Sequence, residues 1–252
     1  MEIQHHWAHA ASLMIDNKVD ECVALTLDGT GHGDDGTAWG GEVLLSNFNG
    51  YKRIAHLEQI PLLGSERALY DLRRLRFAID SMNGNENHDF TDSEAMVLSK
   101  LMGKSVKTSS FGRILDALSY SLDVCKVRTY DGEPAMKLEP LLARGKLVEG
   151  FETETVNGMI KTAHLFHDSK EKKQDIAYSV VHNIMEELIQ SAVSSGIDTI
   201  GLTGGVSYNS TITKIFLDLV SMTDLEPILH REVPNGDGGV SVGQAAIAVN
   251  HL

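Results

Sequence analysis

Three histidines crowd the start of the chain, and their spacing is one that a helix can use. Residues i and i+4 share a helix face, so His5 and His9 can aim their imidazoles at one metal ion while His6, about 100° away, points elsewhere. A surface or capping histidine cluster has the same local sequence. A second place for chemistry is Leu27-Asp28-Gly29-Thr30-Gly31, an apolar strand ending in a carboxylate and then glycines that let backbone approach an anion or cation closely. An ordinary Asp-Gly turn would read the same way. The third is Leu202-Thr203-Gly204-Gly205-Val206 with Asn209 just beyond, a strand running through glycines into a helix. Such a turn offers N–H groups and a helix N-terminus to a nucleotide, or else only packs strand tightly against helix. The fourth is Pro234-Asn235-Gly236-Asp237-Gly238-Gly239, where Asp237 is either a helix N-cap or a ligand held at a fixed point.

The elements that must position these residues can be read from periodicity. Gln4 to Asn17 predicts a helix with Trp7, Ala11 and Met14 on one stripe, and Glu21 to Leu27 predicts a buried strand. Thr37 to Leu45 and Tyr51 to Ile60, separated by Asn49-Gly50, complete an antiparallel three-strand meander. From about Leu69 to His167 the pattern is helical, with Leu72, Phe77, Leu98, Leu101, Ile114, Leu118, Met136 and Leu142 as candidate core residues. A long amphipathic helix from Asp175 to Ser195 closes at Gly196, and Thr199 to Thr203 is a short buried strand. A helix from Ser210 to Ser221, a strand from Pro227 to Leu229 and a helix from Gly238 to Asn250 follow. Three strands, helices, then strand, helix, strand, helix predict an α/β fold, an RNase H-like (actin-like ATPase superfamily) lobe with a mixed sheet and a helical insertion.

Composition narrows the function classes. The 252 residues are 42% hydrophobic, enough for a substantial core, and carry 35 acidic against 22 basic side chains, a formal charge of −13. That charge disfavours nonspecific attraction to nucleic acid or anionic lipid, so neither nucleic acid nor membrane is an expected partner. Two isolated cysteines, Cys22 and Cys125, provide neither a disulfide framework nor a Cys-rich zinc site. With no run approaching the roughly 20 apolar residues of a membrane span and no signal-peptide pattern, a cytoplasmic location is expected.

Taken in order and spacing, the strings QHHWAHAAS, LTLDGTGHGDDGTAWGGE, SSFGRILDALSYSL, YDGEPAMKLE, LTGGVSYN and VPNGDGGVSVGQAAIA resemble the C-terminal Kae1-like domain of HypF, the carbamoyltransferase of hydrogenase maturation. They run through nearly the whole chain. The pattern DGTGxGxDGxxWGGE also separates this family from the related threonylcarbamoyl transferases of tRNA modification. The resemblance implies that His5, His9, Asp28 and Asp237 are metal ligands, and that Asp116, Glu133, Gly204, Gly205 and Asn209 line an adenine-nucleotide pocket. Two imidazoles and two carboxylates suit Fe(II) or Zn(II).

By the same resemblance, a carbamoyl-adenylate made elsewhere from carbamoyl phosphate and ATP is presented here, and its carbamoyl group passes to the C-terminal cysteine of a HypE-type partner. The whole chain, residues 1–252, is then a Kae1-like carbamoyltransferase lobe. Its companion first lobe and the acylphosphatase-like, zinc-finger and YrdC-like domains are expected outside it, in cis or in trans. One departure stands out: where the family suggests PLPGGDxAIREPWR, this chain reads PLLGSERALYDLRR, keeping Gly64 and Arg74 and losing other members. The other functions that the motifs admit are a threonylcarbamoyl-type transferase acting on tRNA and a non-catalytic nucleotide-binding scaffold.

Overall fold

The run Cys22–Leu27 is buried at every position, as a strand is when both faces of its sheet are covered. In the computed structural model, which describes residues 2–252, this run lies in the centre of a mixed sheet. Helix α1 (His5–Asn17) leads into β1 (Glu21–His32), which continues through the glycine-rich segment instead of stopping at Leu27. A register shift between Leu27 and Gly31 marks a bulge, the usual device for re-aiming side chains next to a site. Strands β2 (Ala38–Asn47) and β3 (Gly50–Leu57) complete the antiparallel meander, with the Asn47 carboxamide oxygen accepting the N–H groups of Asn49 and Gly50 at the turn.

The middle of the chain is mainly helical but is threaded back into the sheet. Strand β4 (Ile60–Pro61) precedes α2 (Arg67–Tyr70), α3 (Arg73–Met82) and α4 (Asp92–Leu101), and α4 opens with a Thr91–Glu94 capping box. Then come β5 (Lys107–Thr108), α5 (Phe111–Ser121), α6 (Glu133–Leu142), β6 (Thr155–Val156) and β7 (Met159–Ile160). Strand β5 pairs with β2 and β4, and the β6–β7 hairpin joins the sheet beside β3, so short strands interrupt what periodicity reads as continuous helix. Two-residue strands carry no period, which is why the sequence pattern misses them. Most of the expected core residues are buried. Met136 is the exception, 59% exposed on α6, and Leu101 is only partly covered.

The last portion alternates. Helix α7 (Lys173–Val193) precedes β8 (Thr199–Thr203), α8 (Ser210–Val220), β9 (Glu226–Ile228) and α9 (Val240–Asn250). Strand β8 runs parallel to β1, pairing Leu25 with Leu202 and Thr26 with Thr203, and the sheet order is β6-β7-β3-β2-β1-β8-β9. The larger core lies under α3, α5, α7 and α8, while Trp7, Ala10, Ala11 and Met14 of α1 bury a smaller one against Cys22, Ala24 and Ile247. Helix α1 is therefore enclosed between sheet and α9, and it buries every residue from His6 to Met14. Among the described residues no helix is long and apolar enough to cross a membrane.

Candidate metal centre

Strands β1 and β8 are parallel neighbours, so their carboxyl ends deliver Asp28 and Gly204 side by side, the place where open α/β sheets bind ligands. Helix α1 crosses above with its N-terminal end over Gly31, where a Cβ would fall 2.5 Å from the His6 ring and 2.6 Å from that of His5. Any side chain at this position would push these imidazoles aside. With glycine there, one ligand atom each from His5, His9, Asp28 and Asp237 fits within a 4.8 Å cluster.

The four ligand atoms lie close enough to meet one ion. His5 Nε2 lies 3.3 Å from Asp28 Oδ2 and 3.4 Å from Asp237 Oδ1, and His9 Nε2 lies 3.7 Å and 3.6 Å from the same two atoms. The two Nε2 atoms face each other at 3.2 Å. Two imidazoles and two carboxylates converging in one small volume are a donor set of the kind that divalent transition ions take. Burial is uneven across the quartet: the His9 side chain is 0% exposed, Asp28 10%, His5 24% and Asp237 79%. One side is thus sealed and the other open.

The titration of these groups records the same attraction. Burial works to raise the Asp28 carboxyl, but its contacts with His5 and His9 hold it well below the usual range. Burial likewise works to lower His9, and the Asp237 and Asp28 carboxylates outweigh it and raise the imidazole. Asp237 is lowered, chiefly by His9. His6 behaves differently: burial, with His5 and His9 beside it, pushes it down to about 3, so it sits neutral against the Trp39 ring, outside the quartet.

The second oxygen of Asp28 is also held, because the Gly205 N–H donates to Oδ1 at 3.2 Å and leaves Oδ2 for the cluster. This ties the glycine turn to the four-residue cluster. The stricter backbone requirement falls on Gly204, at φ +93°, where a Cβ would come within 2.3 Å of the Leu27 carbonyl oxygen.

The other nucleotide candidates divide. Ser110, the N-cap of α5, donates to both the Asp28 and Gly29 carbonyls, pinning α5 to the end of β1. On that helix Asp116 pairs with Arg113 at 2.8 Å, both side chains nearly fully buried, and burial pushes the Asp116 carboxyl up and the Arg113 guanidinium down. Arg113 lies against Gly29, so Asp116 is one side chain removed from the strand end. Glu133, in the first turn of α6, accepts from Thr129 and Lys137, whereas Asn209 accepts from the Thr211 and Ile212 N–H groups as the N-cap of α8; both are engaged locally. In the departing segment, Gly64 takes φ +86° and Arg74 donates to the Leu63 carbonyl.

Sequence reasoning did not assign roles to Glu42 and Arg53. Glu42, fully buried, accepts from the Gly40 and Gly41 N–H groups, from Ser109 and from Arg53, whose guanidinium also pairs with Asp35 and stacks 4.1 Å over Trp39. The Trp-Gly-Gly-Glu string was the available signal: a glutamate ending a buried strand motif needs a partner.

The arrangement defines an RNase H-like α/β lobe with a group of four residues that could hold a metal ion gathered over the carboxyl ends of its central strands. Comparisons with known proteins agree. Residues 24–244 match the family described as "Carbamoyltransferase, Kae1-like Domain, second subdomain". The probable carbamoyltransferase HypF of Methanocaldococcus jannaschii is 39% identical over 96% of this chain and 34% of its own length. For the carbamoyltransferase HypF of Rhodobacter capsulatus the values are 32%, 99% and 36%. Among solved structures, T. kodakarensis HypF superposes with TM-score 0.87 at 34% identity, covering all of this chain and 37% of that one. A full-length HypF in phosphate- and nucleotide-bound form gives TM-score 0.87 at 29% identity over 99% of this chain and 43% of that one. The chain belongs to the HypF carbamoyltransferase family, as its Kae1-like second subdomain. It spans about a third of the length of these curated relatives, and 70% of a HypF homolog from Cupriavidus necator.

Proposed function

We propose that this lobe carries out carbamoyl transfer from carbamoyl-adenylate to the C-terminal cysteine of a HypE-type partner during [NiFe] hydrogenase maturation, in the cytoplasm. The observation that carries the reading is the His5–His9–Asp28–Asp237 group at the strand ends of a HypF-family fold. His5, His9, Asp28 and Asp237 would hold Fe(II) or Zn(II), which when bound supplies a Lewis acid able to polarise a carbonyl or steady a phosphate. A related full-length HypF is described in a phosphate- and nucleotide-bound form, and in this chain the adjoining turn would receive an adenine nucleotide. Gly204 and Gly205 would let its phosphate approach the backbone, with Asp116, Glu133 and Asn209 around it.

In the transfer, the partner's thiolate attacks the carbamoyl carbon, the bond from that carbon to the phosphate oxygen breaks, and AMP leaves with the electron pair. The open side at Asp237 is where the acceptor cysteine would enter, and the sealed side at His9 keeps water from reaching the group from behind. The adenylate-forming step and the second wall of the cleft belong to the remainder of the family's longer chains.

The test is mass spectrometry of a HypE-type partner incubated with carbamoyl phosphate, ATP and this chain, with and without the remaining HypF portion as a separate polypeptide. Carbamoylation of the C-terminal cysteine only when both are present is the expected result. Vigorous transfer by this chain alone would refute the division of labour. Failure of the combination, with a full-length HypF active in parallel, would refute the activity.

A further inference from the structure

Asp237 is the most exposed of the four cluster residues and stands on a single 3-10 turn, Asp237–Gly239, at the end of the irregular segment 229–236. Its position therefore depends on what fastens that segment. Several ties run to β8 and the turn after it: His230 Nε2 meets Thr203 Oγ1 at 2.8 Å, the Asn235 carbonyl accepts from Gly204 N–H at 2.9 Å, and Gly236 N–H donates to Tyr208 Oη at 3.3 Å. None of these refers the segment to α1, where His5 and His9 reside. The turn and α9 after it pack on α1 from one side, with Gly243 close against the Ala8 carbonyl, and two side chains at the other end of α1 fasten the segment before the turn. Asn17 donates to the Leu229 carbonyl at 3.0 Å, and the Asp16 carboxylate accepts the N–H groups of Arg231 at 2.6 Å, Glu232 at 3.2 Å and Val233 at 3.3 Å.

Asp16 lies about two turns beyond His9, on the same face of the helix. The helix thus presents two imidazoles at one end and a carboxylate clamp at the other. Three N–H groups converging on one ionised carboxylate, its side chain 5% exposed, form a charge-assisted set that holds three consecutive peptide planes in a fixed orientation. We infer that Asp16 is a positioning residue for the metal site: it fixes the segment that carries Asp237 relative to the helix that carries His5 and His9. The inference rests on the metal reading proposed above. The substitution Asp16→Asn keeps the size of the side chain but leaves one acceptor oxygen and turns an NH2 group toward N–H donors.

The experiment measures Zn(II) affinity of the 252-residue chain by competition with a chromophoric chelator. Asp16→Asn should bind Zn(II) at least tenfold more weakly than the parent, the usual size of an outer-partner effect. Because Asp16 acts through Asp237, the same change made on top of Asp237→Ala should weaken binding less than about twofold further. Glu58→Gln is the control, since Glu58 accepts the Thr162 and Ala163 N–H groups in a similar clamp outside the metal cluster. It should lower the melting temperature and leave Zn(II) affinity unchanged. If Asp16→Asn does not fold, Asp16→Glu, which keeps the charge one methylene out of place, carries the same comparison. Parent-like affinity in Asp16→Asn, an equal loss in the Asp237→Ala background, or an equal loss in Glu58→Gln would each overturn the positioning role. A parent chain that binds no Zn(II), Fe(II) or other divalent transition ion would overturn the metal reading itself, and this inference with it.

Discussion

The two glycines after β8 should respond very differently to the same substitution. At Gly204, φ +93° and ψ 165° lie in a region that side chains occupy at a cost of about 1–3 kcal/mol. A methyl group there would also sit 2.3 Å from the Leu27 oxygen and 2.8 Å from its carbonyl carbon. Leu27 is 0% exposed in the central strand, so the clash is not relieved by swinging a side chain aside and adds about 1–3 kcal/mol of overpacking. Gly204→Ala should therefore lose about 2–6 kcal/mol, a fall in melting temperature of roughly 4–24 °C for a domain of this size. At Gly205 a Cβ would meet only the Asp28 Oδ1 atom at 3.0 Å, the tip of a side chain. Gly205→Ala should melt within about 2 °C of the parent. Its cost should appear instead as several-fold weaker divalent-metal binding, because Asp28 must shift to make room. Calorimetric melting of the metal-free proteins and metal titration of both variants measure the two effects. A Gly204→Ala protein melting within about 2 °C of the parent would refute the strain argument, and a Gly205→Ala protein with unchanged metal affinity would refute the coupling of this turn to Asp28.

Asp28→Asn should abolish tight metal binding, at least a tenfold loss, while His6→Ala should cost about 1–3 kcal/mol of stability through lost burial against Trp39 and keep metal affinity within threefold; titration and melting of each variant check both. Glu42→Gln removes the buried charge facing Arg53 and should destabilise the chain by about 3 kcal/mol in urea unfolding without altering metal affinity. His230 is held down to about 4, mainly by burial, with Asp16 opposing and His9 assisting. Because its folded value lies below the unfolded value near 6.5, the unfolded chain takes up the proton first. Its contribution is full above about pH 6.5 and falls away as pH drops toward and through 4, by about 3 kcal/mol across the window. In metal-free protein His230→Gln should flatten the stability profile over that range, and an unchanged slope would count against the assignment.

Much of the frame was legible because it rests on period and punctuation. Continuous burial marked β1 and β8, Asn49-Gly50 marked the hairpin, and Gly196 at φ +79° ended α7 near the expected place. The i, i+4 histidines declared a shared face. The remainder depended on pairing at a distance. No local pattern reveals the β5 and β7 pairs, each two residues long, or that β1 carries on past Asp28 by means of a bulge. Met136 reads as core by its type but falls on the outer face of α6. Asp16 is silent for a related reason: its partners are backbone N–H groups 215 to 217 residues further on, and any sequence can supply those.

The separation of the cluster residues along the chain has a consequence for synthesis. His5, His9 and Asp28 leave the ribosome well before Asp237. A nascent polypeptide, or one terminated before Asp237, can offer at most three of the four donors, and until β8 forms its Asp28 lacks the Gly205 N–H that orients it. A complete four-donor group therefore waits for Asp237 to be translated and for the sheet to close. On the metal reading proposed above, a bound ion would join segments far apart in sequence and add stability in proportion to the logarithm of its concentration over its dissociation constant. On that reading the supply of the ion would then set how long this polypeptide survives proteolysis, and copies lacking Asp237 would go without that protection.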